Sequence, residues 1–280
     1  MRAGRTQDGA PAAVAAMVPA IALTIGGSDS GGGAGIQADL KTFTALQVHG
    51  CSALTCVTAQ NTRGVSRVDG LPAAALTAQI EAVCGDLAVA ALKTGMLLNR
   101  ALIEATAAAI APLAIPRLVD PVMVSRAGAV LLEPEAIEAY GRCLLPLAEL
   151  ITPNLQEARL LSGMPITGAA GVERAAAVLV ERGAAAVLIK GGGLPELRGR
   201  DYLLRAGEAG TWLQEPAQDT PHTHGSGCTL AAAITAGRAR GLPLPEAVRQ
   251  AKRYVDGGLR HALAIGGGQG PLCHWHPWLG

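Results

Sequence analysis

Short apolar runs alternate with longer stretches of helical period along most of this chain. Residues 21–25 (Ile-Ala-Leu-Thr-Ile) form the first run and lead directly into a glycine- and serine-rich segment from Gly26 to Gly35. Beyond it, Ile36, Leu40 and Phe43 recur at the spacing that gives a helix one buried face, which predicts a helix over 36–48. Further strands are predicted at 52–58, 89–93, 117–119, 150–152 and 186–189. Helices are predicted at 73–84, 99–112, 155–161 and 171–182. Another opens at Glu133-Pro134, where proline suits the first helical turn. Residues 201–204 and 211–214 flank a glycine-containing turn and predict a small hairpin. A long helical region opens at Gly225, breaks near Gly241 and resumes over 244–263. Strands that alternate with helices imply parallel βαβ units and a sheet covered on both faces. No linker divides residues 21–280 and no fixed-period repeat is present, so one α/β domain is expected there.

Composition sharpens this reading. Of the 280 residues 50% are hydrophobic but only 2% aromatic, so the core must be built from Ala, Leu, Val and Ile. The net charge of +1 argues against a general binder of nucleic acid or an anionic membrane, which would need a basic face, though it leaves room for a local anion site. Few aromatic rings also argue against a base-stacking platform. The six cysteines (51, 56, 84, 143, 228, 273) are scattered, unlike a secreted disulfide framework, and point to a reducing, cytoplasmic compartment. No apolar run reaches the roughly 20 residues that a membrane span needs. Residues 1–20 carry arginines and an Ala-rich stretch. A signal peptide ending there would run into the strand at 21–25, so a disordered leader is expected instead. Cys273-His274-Trp275-His276 superficially resembles a metal set but has no second ligand pair at zinc-site spacing.

Ligands of parallel sheets bind beyond the carboxyl ends of the strands. The residues at those places here are polar or glycine-rich: Gly26 to Asp29, Ala59-Gln60-Asn61, Thr94-Gly95-Met96, Asp120-Pro121-Val122, Pro153-Asn154 and Lys190-Gly191-Gly192-Gly193. The first glycine cluster contains no P-loop pattern and only a defective dinucleotide fingerprint, so a flexible turn is its plain alternative. Asp39 borders the inward stripe of its helix, where a carboxylate is costly unless paired. It reads either as a helix-dipole contact or as an acceptor for a substrate amine or hydroxyl. His224-Gly225-Ser226-Gly227-Cys228-Thr229 runs into an apolar helix, and small residues at a helix start expose backbone N–H groups to an anion. A thiol there is expected to have a lowered pKa, which favours function over a structural cysteine. Asn154 and Glu157 share one face of a helix start. They read as a cap, which the residues alone favour, or as holders of a hydrated Mg²⁺.

Together these segments resemble bacterial hydroxymethylpyrimidine/phosphomethylpyrimidine kinases of thiamine biosynthesis. The resemblance is carried by Gly26 to Thr42, Ala59-Gln60-Asn61-Thr62, Lys93-Thr94-Gly95-Met96-Leu97 and Asp120-Pro121-Val122-Met123. Ile151 to Leu155, Lys190-Gly191-Gly192, Thr223 to Leu230 and Gly268 to Pro271 continue it. It implies a ribokinase-like three-layer α/β/α sandwich with a mostly parallel sheet. It implies ATP and Mg²⁺ as cofactors, leaves a monovalent cation open, and suggests a homodimer. The implied reaction phosphorylates 4-amino-5-hydroxymethyl-2-methylpyrimidine and then its monophosphate. By position, Gly27, Asp39, Gln60, Met96 and Val122 would contact the pyrimidine. Gly225, Ser226, Gly227 and Cys228 would form the anion hole, with Cys228 taking the hydroxyl proton. Asn154, Glu157, Lys190 and Asp120 would lie near ATP and Mg²⁺. Arg126 stands where the family often has Lys, and Ser226 where Thr is common. The nearest alternative is a pyridoxal kinase of the same superfamily; a non-catalytic pyrimidine-binding protein and a dehydrogenase stand further off.

Overall fold

The computed structural model describes residues 18–123 and 132–279. Arg126 and residues 1–17 of the expected leader lie outside that range. Among the described residues one nine-stranded sheet forms, its strands, numbered along the chain, in the order β3-β2-β1-β4-β5-β6-β7-β8-β9. Its parallel part comprises β1 (Ile21–Asp29), β2 (His49–Asn61), β4 (Val89–Thr94), β5 (Arg117–Val119), β6 (Leu150–Ile151) and β7 (Ala186–Lys190). Antiparallel strands finish both edges: β3 (Gly64–Gly70) on β2, and the predicted hairpin β8 (Arg200–Arg205) and β9 (Thr211–Gln214) on β7.

Alternate side chains along the parallel strands feed two separate cores, as a sheet buried on both faces requires. Leu23, Ile25, Leu92, Val119, Ile151, Val187 and Ile189 pack on one face. They meet α2 (Ala73–Asp86), α3 (Arg100–Ile110), α4 (Pro134–Ala139), α5 (Leu155–Ser162) and α6 (Ala169–Glu181). Ala22, Leu118, Leu150, Ala186 and Leu188 face α1 (Gly35–Ala45), α7 (Ser226–Ala239) and α8 (Leu244–Arg260). The result is the expected three-layer sandwich. Ala231, Ala232, Ala233 and Ala236 of α7 are buried on this second face, so a helix of small side chains lies close on the sheet and few aromatics are needed to fill the space.

The predicted elements are present with shifted ends. Asn99 caps α3 by accepting from the Leu102 amide at 3.0 Å, which fixes that start. Strand β3 has no counterpart among the predicted elements. All its residues are exposed, so no packed face imposes the period-2 alternation that announces a strand. Its entry turn is marked only by the Asn61 side chain accepting from the Arg63 amide at 2.8 Å.

From β1 the chain passes through α1 to β2 on one side, whereas β4 pairs with the other side of β1. The strand order therefore reverses between β1 and β4, and a crevice opens at their carboxyl ends. Behind it the C-terminal segment is tied to α7 and α8. His274 Nε2 lies 3.0 Å from Thr229 Oγ1, and the Tyr254 hydroxyl donates to the His274 carbonyl. Burial pushes the His274 imidazole down from 6.5 to about 4, so it is neutral in the fold. The unfolded chain takes up the proton first. The stability gained from neutral His274 is thus complete above pH 6.5 and is lost as the pH falls towards 4. At about 1.4 kcal/mol per pH unit the loss reaches roughly 3 kcal/mol. Urea unfolding at pH 7 and pH 4.5 checks this: the wild type should lose more stability between them than His274→Gln, and equal losses would refute it.

Candidate active site

Strand β1 delivers Gly26, Gly27, Ser28 and Asp29 to the crevice. A side chain on Gly27 would come within 2.8 Å of both Cys56 Sγ and Met96 Cε, so only glycine lets β1 pass between the β2 and β4 sides. Asp29 then folds the glycine-rich turn around itself. Its Oδ1 accepts from the Gly31 amide at 2.8 Å, and its Oδ2 accepts from Gly33 at 3.0 Å and Ala34 at 2.8 Å. His224 Nε2 completes the set at 3.0 Å. Burial opposes ionisation of Asp29, but the His224 contact and the amides outweigh it and hold the carboxyl below its ordinary range. The turn is therefore an ordered cradle closed by Asp29.

The second glycine cluster packs on the first. Gly225 has φ +78°, a left-handed conformation, and any side chain there would collide with the Gly33 carbonyl oxygen. Helix α7 begins immediately after it, and the amides of Gly227 and Cys228 fall in its first turn, where a helix has no carbonyl of its own to offer. The amide of Gly35, the first residue of α1, lies near enough to the Cys228 thiol to favour its ionised form. Two helix starts thus converge on Cys228. Lys190 joins them from the end of β7: a Cβ on Gly227 would sit 3.3 Å from its Nζ. Backbone amides, two helix dipoles and an ammonium group together are the chemistry that an anion would need.

Beneath this surface lies a chain of buried charges. Lys93 of β4 is fully buried and donates to both oxygens of Asp39, each at 2.7 Å, while the Thr24 hydroxyl donates to Asp39 Oδ2 at 2.6 Å. Burial works to lower the Lys93 pKa, but Asp39, with Cys228 and Asp120, more than offsets it, so the ammonium stays charged. Asp120, at the end of β5, accepts from Lys190 Nζ at 3.0 Å and from the Thr152 hydroxyl at 2.9 Å. Burial raises Asp120, yet Lys190 and Lys93 hold it below its ordinary value. Glu157 accepts from the Asn154 amide at 2.8 Å and the Met123 amide at 3.3 Å. Burial, with Asp120 nearby, pushes it up to about 7 against the pull of Lys190.

The structure gathers most of the predicted residues on this crevice. Met96 lies against Gly27, its carbonyl fixed by the Thr55 hydroxyl at 2.7 Å, and the Val122 amide donates to the Asp120 carbonyl at 2.9 Å. Gln60 stands at the end of β2 beside His224. Two expectations change. Asp39 is placed beneath the crevice rather than on it: it is 1% exposed and its oxygens are taken by Lys93 and Thr24, so it has no face for a substrate. The Cys228 thiol is not lowered by its helix start. Burial pushes it up to about 11, with Asp39 and Asp120 adding to the shift and Lys93 and the Gly35 amide working against it. The Asn154–Glu157 pair is a complete capping box, with Asn154 Oδ1 accepting from Gln156 and Glu157 amides.

Among the described residues no group of three or more His, Cys, Asp or Glu could hold a metal unaided. Asp120 and Glu157 are the carboxylates beside Lys190. That donor set suits a Mg²⁺ that keeps its waters and takes most of its ligands from phosphate oxygens. The sequence reading singled out neither Asp29, His224 nor Lys93 for a role. Lys93 left a signal: a lysine in the otherwise apolar run Val-Ala-Ala-Leu-Lys-Thr demands a buried partner, and so did Asp39.

The family described as phosphomethylpyrimidine kinase matches residues 29–273. The hydroxymethylpyrimidine/phosphomethylpyrimidine kinase of Synechococcus elongatus is 57% identical over 262 residues, covering 93% of this chain and 99% of the relative. The protein of the same description in Bacillus subtilis is 47% identical over 255 residues, covering 91% and 94%. Among solved structures, an ADP complex of Bacillus subtilis pyridoxal kinase superposes with a TM-score of 0.86 at 37% identity, covering 94% of this chain and 100% of that one. The phosphomethylpyrimidine kinase of Clostridium difficile 630 gives 0.76 at 38% identity, covering 84% and 97%. The fold is the ribokinase-like sandwich, and with a matching family that runs from the Asp29 cradle to the segment behind α7, the chain belongs to the phosphomethylpyrimidine kinases.

Proposed function

We propose that this kinase transfers the terminal phosphoryl group of ATP to the hydroxymethyl oxygen of 4-amino-5-hydroxymethyl-2-methylpyrimidine, and a second one to the resulting monophosphate, in thiamine biosynthesis. The observation that carries this reading is the meeting of Cys228, the first-turn amides of α7 and Lys190 Nζ at one point. Phosphoryl transfer asks mainly for positioning and charge neutralisation, and these groups supply both. The amides of Gly227 and Cys228 and the Lys190 ammonium hold the migrating phosphoryl oxygens. The substrate alcohol sits against Cys228. As its oxygen bonds to phosphorus, its proton passes to the sulfur, and the bond from phosphorus to the bridging oxygen of ADP breaks. Lys93, below, favours the thiolate that accepts the proton. A bound Mg²⁺ would neutralise phosphate charge, with Asp120 and Glu157 reaching its waters. Asp39 acts through Lys93, and Asn154 by capping α5 under Glu157.

Gly27, Met96 and Val122 form the apolar wall for the pyrimidine ring, and the Gln60 amide offers donor and acceptor to its aminopyrimidine edge. Replacing Gln60 with Ala is expected to raise the KM for the pyrimidine about tenfold, the worth of roughly one to two hydrogen bonds, and to leave the KM for ATP near its original value. An equal rise in both would refute the contact. Turnover of hydroxymethylpyrimidine and pyridoxal, measured side by side with ATP while following mono- and diphosphate products, tests the whole reading; a preference for pyridoxal overturns it.

No helix among the described residues is long and apolar enough to cross a membrane, and the six cysteines are free thiols. A cytoplasmic homodimer with a small-molecule substrate is the setting we propose; sedimentation velocity tests the dimer.

A further inference from the structure

The side chain of Gln60 has two polar neighbours. Its Nε2 lies 3.3 Å from His224 Nε2, and its Oε1 lies 3.2 Å from Thr58 Oγ1. What each contact can be depends on where the hydrogens of His224 and Thr58 go. Asp29 Oδ2 is 3.0 Å from the same His224 nitrogen and already accepts from two backbone amides, so this oxygen faces the ring as an acceptor. That nitrogen must therefore carry a proton and donate. A donor cannot receive another donor, so Gln60 has to meet it with oxygen. Thr58 leads to the same result independently. Its single hydroxyl proton goes to the Ser28 carbonyl at 2.8 Å, the shorter of its two contacts. Towards Gln60 the hydroxyl can only accept, so Gln60 has to meet it with nitrogen. One half-turn of the amide satisfies both neighbours at once.

We infer that His224, held by Asp29, is a positioning residue that fixes the Gln60 amide with its oxygen towards the imidazole and its nitrogen towards Thr58, and so sets the order of donor and acceptor that the site presents to its substrate. The inference deepens the pyrimidine reading and rests on it for its effect on substrate choice. With the amide fixed, one N–H and one oxygen lone pair remain to read a ring edge in a single order. An aminopyrimidine offers an amino donor beside a ring-nitrogen acceptor and matches such a pair. A ring edge with the opposite order would force the amide to turn, which would break the contacts to His224 and Thr58 together. The same histidine touches both glycine clusters, since a side chain on Gly33 would collide with its ring.

The test has two arms. In the first, ¹⁵N spectra of the wild-type protein report the His224 ring: a protonated Nε2 supports the inference, and a pyridine-like Nε2 overturns it. In the second, the pyrimidine KM is compared across His224→Leu, His224→Gln, Gln60→Ala and the double variant Gln60→Ala/His224→Leu. The His224→Leu change should raise the pyrimidine KM about tenfold with the ATP KM unchanged, and His224→Gln, whose amide can still donate, should stay within about threefold of wild type. The double variant should be no worse than Gln60→Ala alone, because His224 acts through Gln60. Additive rises, or equal rises in both KM values, overturn it. Should Gln60→Ala leave the pyrimidine KM unchanged, the substrate contact is lost, while the ¹⁵N measurement still decides how the amide is held.

Discussion

Replacing Lys93 with Met is expected to destabilise the protein by about 3–5 kcal/mol, the cost of leaving one partner of a buried ion pair uncompensated. Lys93 is 0% exposed and Asp39 1%, and the ammonium donates to both carboxylate oxygens. Without it, Asp39 keeps one hydrogen bond, from Thr24, and must either hold a bare charge in the core or take up a proton. The double variant Lys93→Met/Asp39→Leu removes both charges and should recover most of the lost stability, since an apolar pair of similar volume packs as well as an ion pair. Recovered stability should not bring back turnover, because no cation would then lie below Cys228. Urea unfolding of the single and double variants, together with their turnover, decides the matter. A loss below about 1 kcal/mol in Lys93→Met would be the cost of a surface pair and would show that the site does not depend on this one.

The second large effect separates the two phosphorylations. In the first step the acceptor is an alcohol, which must lose a proton. In the second it is a phosphate monoester, whose second ionisation, with a pKa of about 6, is nearly complete above about pH 7. Cys228 as base is therefore needed for the first step and not for the second. The Cys228→Ser variant should lose about 10²–10⁴ in turnover of the alcohol, the usual range for general base catalysis, with little change in its KM. Phosphorylation of the monophosphate should fall far less. The pH dependence follows with its sign. Burial holds the thiol at about 11, so the thiolate fraction, and with it kcat/KM for the alcohol, rises with pH across the neutral range towards that value. For the monophosphate the profile should be level above about pH 7. Separate assays of the two substrates in wild type and variant give the result, and equal losses in both steps would remove the base role from Cys228.

Much of the site was legible because its chemistry is local. Gly225 to Cys228 sit at a helix start wherever that helix goes, and the residues after each strand face the crevice in any parallel sheet of this kind. What escaped was long-range pairing. Asp29 looks like one more polar residue in a glycine run until the amides of Gly31, Gly33 and Ala34 turn back on it and His224 arrives from 195 residues away. Strand β3 escaped for the opposite reason: with every residue exposed it has no core to impose a pattern.

The sandwich, the polar and glycine-rich segments at the carboxyl ends of its strands and the helix start at Gly225 could be read from the chain, because strand alternation, helical period and the conformational freedom of glycine are properties of neighbouring residues. Which charges meet is a property of the folded chain alone. Folding put Asp39 under the crevice with Lys93 instead of on its surface, and it raised the Cys228 thiol where a helix start alone would lower it. A carboxylate or a thiol takes its proton affinity from burial and from charges brought by distant parts of the chain, and that enclosure exists only once the chain has folded.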